Sequence, residues 1–265
     1  MAWTLVTPSS RGIGLSLVQQ LLKTTTVPVV ATARTDLPGT KSRILDGIDS
    51  KHHTRLDVQA CDVASEPSVS DLAGYCAERY NDKSQDKNAH LRLGLLIPGM
   101  LIPERAPEKI EYNSALVTLK LNLLAPMMLV KHFSVFLPRK ATKLQHEDGL
   151  NDMAILGLMS ARVGSISDNG RGGWFSYRAS KAGVNQLVKS LDNHLGMQNG
   201  RMAMSVGLHP GTVKTELSRE FWESTPKEQL FSPEYSAGRL VEVLMGLKEG
   251  ARGRCWDYKG EEISP

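Results

Sequence analysis

The chain has 265 residues, 41% of them hydrophobic and 23% charged, a balance that suits a soluble globular protein rather than a disordered or fibrous one. Its net charge of +4 comes from scattered lysines and arginines, with no basic stripe of the kind that binds nucleic acid. Cys61, Cys76 and Cys255 are odd in number, far apart and without histidines at ligand spacing, so no metal site is expected, and reduced thiols in the cytoplasm are.

The first apolar run, 2–7, is one strand long and opens directly into Thr7-Pro8-Ser9-Ser10-Arg11-Gly12-Ile13-Gly14, which leaves no room for a signal peptide. Leu15, Val18, Leu21 and Leu22 then repeat at helical spacing. A strand, small polar residues and glycines opening a helix aim free N–H groups and a helix dipole at an anion, and a phosphate fits there. The glycines could instead serve only close packing of helix on sheet.

A second strand, 27–33, ends at Arg34. At this distance from the glycine turn a dinucleotide fold carries an acid for a ribose 2′-hydroxyl or an arginine for a 2′-phosphate. Arg34 therefore points to NADP(H), and Arg11 offers a second cation; the alternative for both is a solvated surface charge. A third strand is expected at 53–61, followed by a helix whose stripe is Leu72, Tyr75 and Cys76, and a fourth at 91–97.

The polar segments 81–90 and 139–151 are expected as surface loops. The apolar stretch 116–137 is broken by Lys120, Asn122, Pro126, Lys131 and His132, which predicts a buried helix of a soluble protein and not a membrane span. Asn122 inside it needs a partner, because an unpaired buried amide is costly.

Strands at 152–159, 202–208 and 253–256 complete the pattern. Alternation of strands and helices predicts an α/β fold: a doubly wound, Rossmann-type parallel sheet of about seven strands with helices on both faces. No linker divides it, so residues 1–265 are expected to form a single domain. Segment 216–232 carries Phe221, Trp222 and Phe231 among charges and reads as a substrate lid or a packed pair of turns.

Tyr177 and Lys181 lie four apart on one face of a predicted helix. A phenol titrates near pH ~10 unless a neighbouring cation favours phenolate, and Lys181 can supply that charge. The pair suits a proton donor and the group that tunes it.

Together, these motifs resemble the short-chain dehydrogenase/reductase family over nearly the whole chain. The turn is similar to its threonine-glycine, three-residue, glycine-isoleucine-glycine fingerprint, and Tyr177 to Lys181 to its tyrosine, three-residue, lysine motif. The resemblance implies that Ser9, Ser10, Arg11, Gly12, Ile13 and Gly14 meet the phosphates, Asp62 and Val63 the adenine, and Gly99 the cofactor as well. It further implies that Pro210, Gly211, Val213 and Thr215 close over the nicotinamide, and that Lys181 holds its ribose. Tyr177 would then protonate a carbonyl oxygen as hydride arrives, with Asn122 organising a relay water.

Three positions depart from the family pattern. Pro8 replaces the first fingerprint glycine and removes an N–H. Ile97-Pro98-Gly99 stands where asparagine-alanine-glycine is usual. Ala161, in Met159-Ser160-Ala161-Arg162-Val163-Gly164, stands where a serine usually holds the substrate oxygen. Ser160 is the first candidate to replace it, Ser165 the second, and no serine the third. The run 162–177 is otherwise similar to a subgroup of small carbonyl reductases, and its Trp174 is expected to wall the pocket.

The expected protein is thus an NADPH-dependent enzyme that reduces a ketone or aldehyde to an alcohol, acts on a hydrophobic small molecule, and forms a homodimer or homotetramer. Neither a nucleic acid nor a membrane is an expected partner. An NADP-binding non-redox enzyme, or a redox-sensing protein on the same fold, is the alternative that Pro8 and Ala161 leave open.

Overall fold

Eight strands form one sheet in the computed structural model, which describes residues 1–82, 86, 88–144 and 148–265. The elements run β1 (Ala2–Thr7), α1 (Gly12–Thr24), β2 (Val29–Ala33), α2 (Leu37–Leu45), β3 (Leu56–Ala60), α3 (Glu66–Tyr80), β4 (His90–Leu96), α4 (Tyr112–Leu119) and α5 (Ala125–Phe133). They continue through β5 (Ala154–Met159), α6 (Phe175–Gln198), β6 (Ala203–His209), β7 (Thr212–Val213), β8 (Leu230–Phe231), α7 (Pro233–Gly246), β9 (Cys255–Asp257) and β10 (Glu262–Ile263).

The sheet order is β10-β9-β6-β5-β4-β1-β2-β3, parallel except for β10. The direction of winding reverses between β1 and β4, and in such sheets ligands bind beyond the strand C-termini at that point. Strands β1, β4, β5 and β6 are almost wholly buried, as expected when helices cover both faces. Trp3, Leu5, Leu156 and Leu158 pack toward α3, α5 and α6; Val6, Ile155, Met204 and Val206 pack toward α1, α2 and α7.

The sequence expectations need four corrections. Residues 50–55 form a 3₁₀ turn capped by Asp49, so the third strand begins only at Leu56. The strand pair β7–β8 and the antiparallel β10 are two-residue pieces, too short to show alternation in sequence. Part of the 139–151 loop is interior: Asp148 pairs with buried Arg92 at 3.2 Å, and Asn151 donates to the carbonyls of Leu244 and Leu247 at the end of α7. Residues 83–85, 87 and 145–147 of the two expected loops lie outside the described residues.

The fourth concerns the helix expected to be buried. Residues Tyr112–Phe136 are long and apolar enough to cross a membrane by length and composition, yet only 28% of the apolar 18-residue stretch within them is buried. Its inner face packs on the core through Ala125, Leu129 and Phe133. Its outer face leaves Leu116, Val117, Leu124 and Met127 exposed.

Candidate active site

The loop after β1 is tied to β2 before it reaches the glycines. The Thr7 and Thr32 hydroxyls lie 2.7 Å apart, and the Ser9 N–H donates to the Thr32 oxygen at 2.8 Å. The Ser9 hydroxyl donates to Val6 and Thr32 oxygens and accepts from the Thr32 N–H at 2.7 Å. Ser9 is fully buried with its groups occupied, so it supports the turn and offers nothing to a ligand, contrary to the sequence expectation.

Gly12 adopts φ +56°, a conformation suited to glycine, and begins α1. A Cβ on Gly14 would lie 2.2 Å from the Pro8 oxygen, so no side chain fits there. The first helical bond is Leu15 N–H to Arg11 oxygen, no side chain caps the helix, and no acid sits in its first turn. The amides of Gly12, Ile13 and Gly14 are thereby left for an anion at the positive end of the dipole.

The second strand places Arg34 just beyond Thr32, as the β1 turn places Arg11 just beyond Ser9. Both arginines are exposed, and neither has a carboxylate partner among the described residues. Cys61 N–H bonds to the Ala33 oxygen, which brings Asp62 to the same edge. One Asp62 oxygen accepts from the Ala64 N–H, and the Val63 side chain joins the core, so Val63 can offer only its backbone. Uncapped amides beside two unpaired arginines are a donor set that fits a dinucleotide carrying a 2′-phosphate.

Segment 210–215 reaches back over this turn. Gly211 has φ +78°, and a Cβ there would meet the Phe231 ring at 2.7 Å. Strand pairing of Val213 with Phe231 then directs Thr215 to Gly12, where its Cγ2 lies 3.2 Å from the position of an added Cβ. Thr215 and Ser218 cap the 3₁₀ turn Glu216–Phe221 reciprocally. In that turn Leu217 approaches Gly99, and Phe221 packs on Trp174 with centroids 5.0 Å apart; Trp222 instead turns toward Ser218 and Lys214.

Tyr177 and Lys181 lie in the first two turns of α6, 8% and 2% exposed. Lys181 Nζ donates to the Met159 oxygen at 2.8 Å and stands 5.7 Å from the Tyr177 ring centroid. Burial pulls the Lys181 amine down to about 8 and pushes the Tyr177 phenol up to about 12. The expected lowering of the tyrosine by Lys181 is therefore not seen: desolvation wins, and the phenol is protonated at neutral pH. The Tyr177 hydroxyl has no partner among the described residues, whereas Ser176, Ser180, Ser160 and Ser165 all do.

Ser160 donates to Asn185 Oδ1 at 2.5 Å and so faces α6. The Ser165 hydroxyl accepts from the Asp168 N–H at 3.0 Å and approaches the Pro265 oxygen. Neither replaces the expected serine, so Ser160 is corrected to a supporting residue.

Asn122 is fully buried in a π-helical turn, Lys120–Leu124, between α4 and α5. Its side chain accepts from the Met100 N–H and donates to the Met100 oxygen, both at 2.8 Å, and also donates to Ser180 Oγ. Both amide N–H groups and the amide oxygen are thus engaged by protein. Its main-chain carbonyl is different: the residue four positions on is Pro126, which has no N–H to give it.

Sequence reasoning missed Glu104. This carboxylate is 3% exposed and accepts from both the Ser176 N–H, at 2.7 Å, and the Ser176 hydroxyl. Its own main-chain oxygen takes the Trp174 N–H at 2.7 Å. Trp174 has φ +51°, follows two glycines with positive φ, and packs edge-on against Tyr177.

No family model matches the chain. It is 27% identical over 264 residues to an uncharacterised oxidoreductase of Schizosaccharomyces pombe, covering 96% of this chain and 94% of that protein. It is 30% identical over 156 residues to the C-signal protein of Myxococcus xanthus, covering 58% of this chain and 80% of that one. The NADPH-bound carbonyl reductase of chicken fatty liver superposes with a TM-score of 0.78 at 27% identity, covering 99% and 98% of the two chains.

Proposed function

We propose that this chain, which belongs to the short-chain dehydrogenase/reductase family, reduces a ketone or aldehyde to an alcohol with NADPH. The observation that carries the reading is the Tyr177 hydroxyl, left without a partner among the described residues, beside Lys181 and beneath the Trp174–Phe221 wall. The bound nucleotide supplies hydride to the carbonyl carbon. Gly12, Ile13 and Gly14 amides and the Ser10 hydroxyl bind its phosphates, and Arg34 with Arg11 binds the 2′-phosphate.

Tyr177, protonated at neutral pH, gives its proton to the oxygen as negative charge develops there. Lys181, charged below pH about 8, stabilises the phenolate that remains and holds the ribose of the bound nucleotide. The Asn122 carbonyl holds the water through which a proton returns. Gly99, Gly211, Val213 and Thr215 shape the nicotinamide end, and segment 216–232 acts as a lid. The non-redox alternative predicts that Tyr177→Phe leaves product formation intact; the reductase reading predicts a loss of several orders of magnitude.

The exposed row Leu116, Val117, Leu124 and Met127 supports a homodimer through α4 and α5 rather than a membrane span. Asn122, buried in the same helix and bonded to Met100, fits that helix to a protein rather than to lipid. The protein is proposed to be cytoplasmic.

Equilibrium binding of NADPH and NADH to the wild type and Arg34→Ala tests the cofactor reading without a known substrate. Tighter binding of NADPH, lost in Arg34→Ala, is expected. Failure to bind either nucleotide would overturn it.

A further inference from the structure

Asn-Gly occurs twice in the chain, at 169–170 and 199–200, and the fold treats the two pairs in opposite ways. Asn199 is buried at the end of α6, and its amide nitrogen donates to the Pro138 oxygen at 2.7 Å. Asn169 and Gly170 are exposed on the segment that leads from β5 to α6. The Asn169 side-chain oxygen accepts from the Gly172 N–H at 3.1 Å, and its amide nitrogen has no partner among the described residues. The Gly170 N–H donates to the Asp168 oxygen, two residues back, and a Cβ added to Gly170 would find nothing within 4 Å.

We propose that Asn169 is a site of spontaneous deamidation, with water as the co-reactant, and that its isoaspartyl product unpins the wall of the active site. The Gly170 nitrogen, on losing its proton to solvent, attacks the Asn169 side-chain carbon. The new C–N bond closes a five-membered succinimide as the amide nitrogen takes up a proton and leaves as ammonia. The Gly172 N–H is already bonded to the oxygen on which charge develops during that attack, the role a donor plays in an oxyanion hole. Glycine at 170 puts no Cβ in the way of ring closure. Water then opens the ring. Cleavage at the side-chain carbon gives an aspartate, and cleavage at the main-chain carbon gives isoaspartate, whose main chain is one carbon longer.

The extra carbon falls in a segment held at both ends. Asp168 is bonded to Arg162 at 2.9 Å and, through its N–H, to the Ser165 hydroxyl at 3.0 Å. The Gly172 and Gly173 oxygens accept from Arg178 at 3.2 and 2.9 Å, and the next residue is Trp174, packed on Tyr177 and Phe221. Between those anchors a lengthened chain has to buckle, and exposed Arg171 lies within it. An aspartate at 169 keeps both the chain length and an acceptor for the Gly172 N–H, so it leaves the wall in place.

The test ages wild type, Gly170→Ala and Asn169→Asp in warm, mildly alkaline buffer, followed by peptide mass mapping and isoaspartyl methylation. Gly170 lies outside the left-handed region and its Cβ position is open, so alanine fits the segment while hindering ring closure. Asn169 in wild type is expected to convert, with isoaspartate in excess, ~10-fold or more faster than Asn199 and than Asn169 in Gly170→Ala. Brief digestion of the native protein with trypsin is expected to cut after Arg171 ~10-fold faster in the isoaspartyl fraction than in fresh wild type or Asn169→Asp. NADPH-dependent reduction of para-nitrobenzaldehyde should fall ~10-fold or more in the same fraction, an arm that rests on the reductase reading.

An Asn169 that converts no faster than Asn199, equal conversion in Gly170→Ala, or an isoaspartyl fraction with unchanged cleavage or unchanged turnover would each overturn the proposal. No turnover of any carbonyl by fresh NADPH-loaded protein would instead overturn the reductase reading, and the mass and trypsin arms would still decide the proposal.

Discussion

Lys181 donates to the main-chain oxygen of Met159 at 2.8 Å, which fixes a buried amine at the end of β5, one helical turn from Tyr177. Burial lowers its pKa from 10.5 to about 8, so the group changes charge near neutral pH while the Tyr177 phenol, at about 12, does not. Carbonyl reduction is expected to hold steady below pH 8 and fall with unit slope above it, as Lys181 loses its proton. A Lys181→Arg variant keeps its charge to high pH, so its slower reaction should lose that break. Initial rates at saturating NADPH across pH 6–10 check both; a wild-type break that persists in the variant would assign it to another group.

Thr215 and Gly12 close the turn over which the phosphates are proposed to lie. Gly12→Ala places a methyl 3.2 Å from Thr215 Cγ2 on a backbone with φ +56°. Strain of about 1 kcal/mol and at least a tenfold weaker NADPH affinity are expected. Thr215→Ser removes the methyl group that would be crowded and should recover part of the affinity in the double variant. Titration of the four proteins with NADPH measures the coupling; additive effects would show that the two residues do not meet.

Burial pulls His209 down from 6.5 to about 4, and its Nδ1 is buried without a partner among the described residues. Between these values the unfolded chain binds more protons than the folded one, so stability rises with pH through the window and is lost as pH falls from 6.5 to 4. The contribution approaches about 3 kcal/mol at its limit. Thermal unfolding at pH 7, 5.5 and 4.5 should show His209→Asn to be less acid-sensitive than wild type. Parallel curves would remove His209 as the cause.

The fold and the glycine turn were legible because each rests on local rules: period-two strands, period-3.6 helices and glycines at fixed offsets. The directions of Ser9 and Ser160 were not. Each is a small polar residue beside a motif, and only the packed structure shows Ser9 bridging β1 to β2 and Ser160 turned to Asn185. The π turn left a readable trace, since Asn122 and Pro126 stand four apart in one helix. Glu104 left none: a lone acid in an irregular segment has no periodicity, and its partner is 72 residues away.

Glu104 is expected to act as a positioning residue for Tyr177. It joins the segment after β4 to the start of α6 through Ser176 and Trp174, and it stabilises the positive φ of Trp174, which would otherwise relax. Glu104→Ala leaves the Ser176 N–H without its acceptor at a helix N-terminus, and an Ala there costs on the order of 1–3 kcal/mol. Because the carboxylate's bonds to Ser176 fix the start of α6 and with it the aim of Tyr177, kcat should fall ~10-fold or more, while the NADPH dissociation constant, proposed to be set by α1 and Arg34, stays near wild type. Glu104→Gln keeps an acceptor for the N–H and offers a donor to the hydroxyl, so it should recover most of kcat. Steady-state kinetics with NADPH titration separates the cases: an alanine variant with normal kcat per folded molecule would reduce Glu104 to a helix cap.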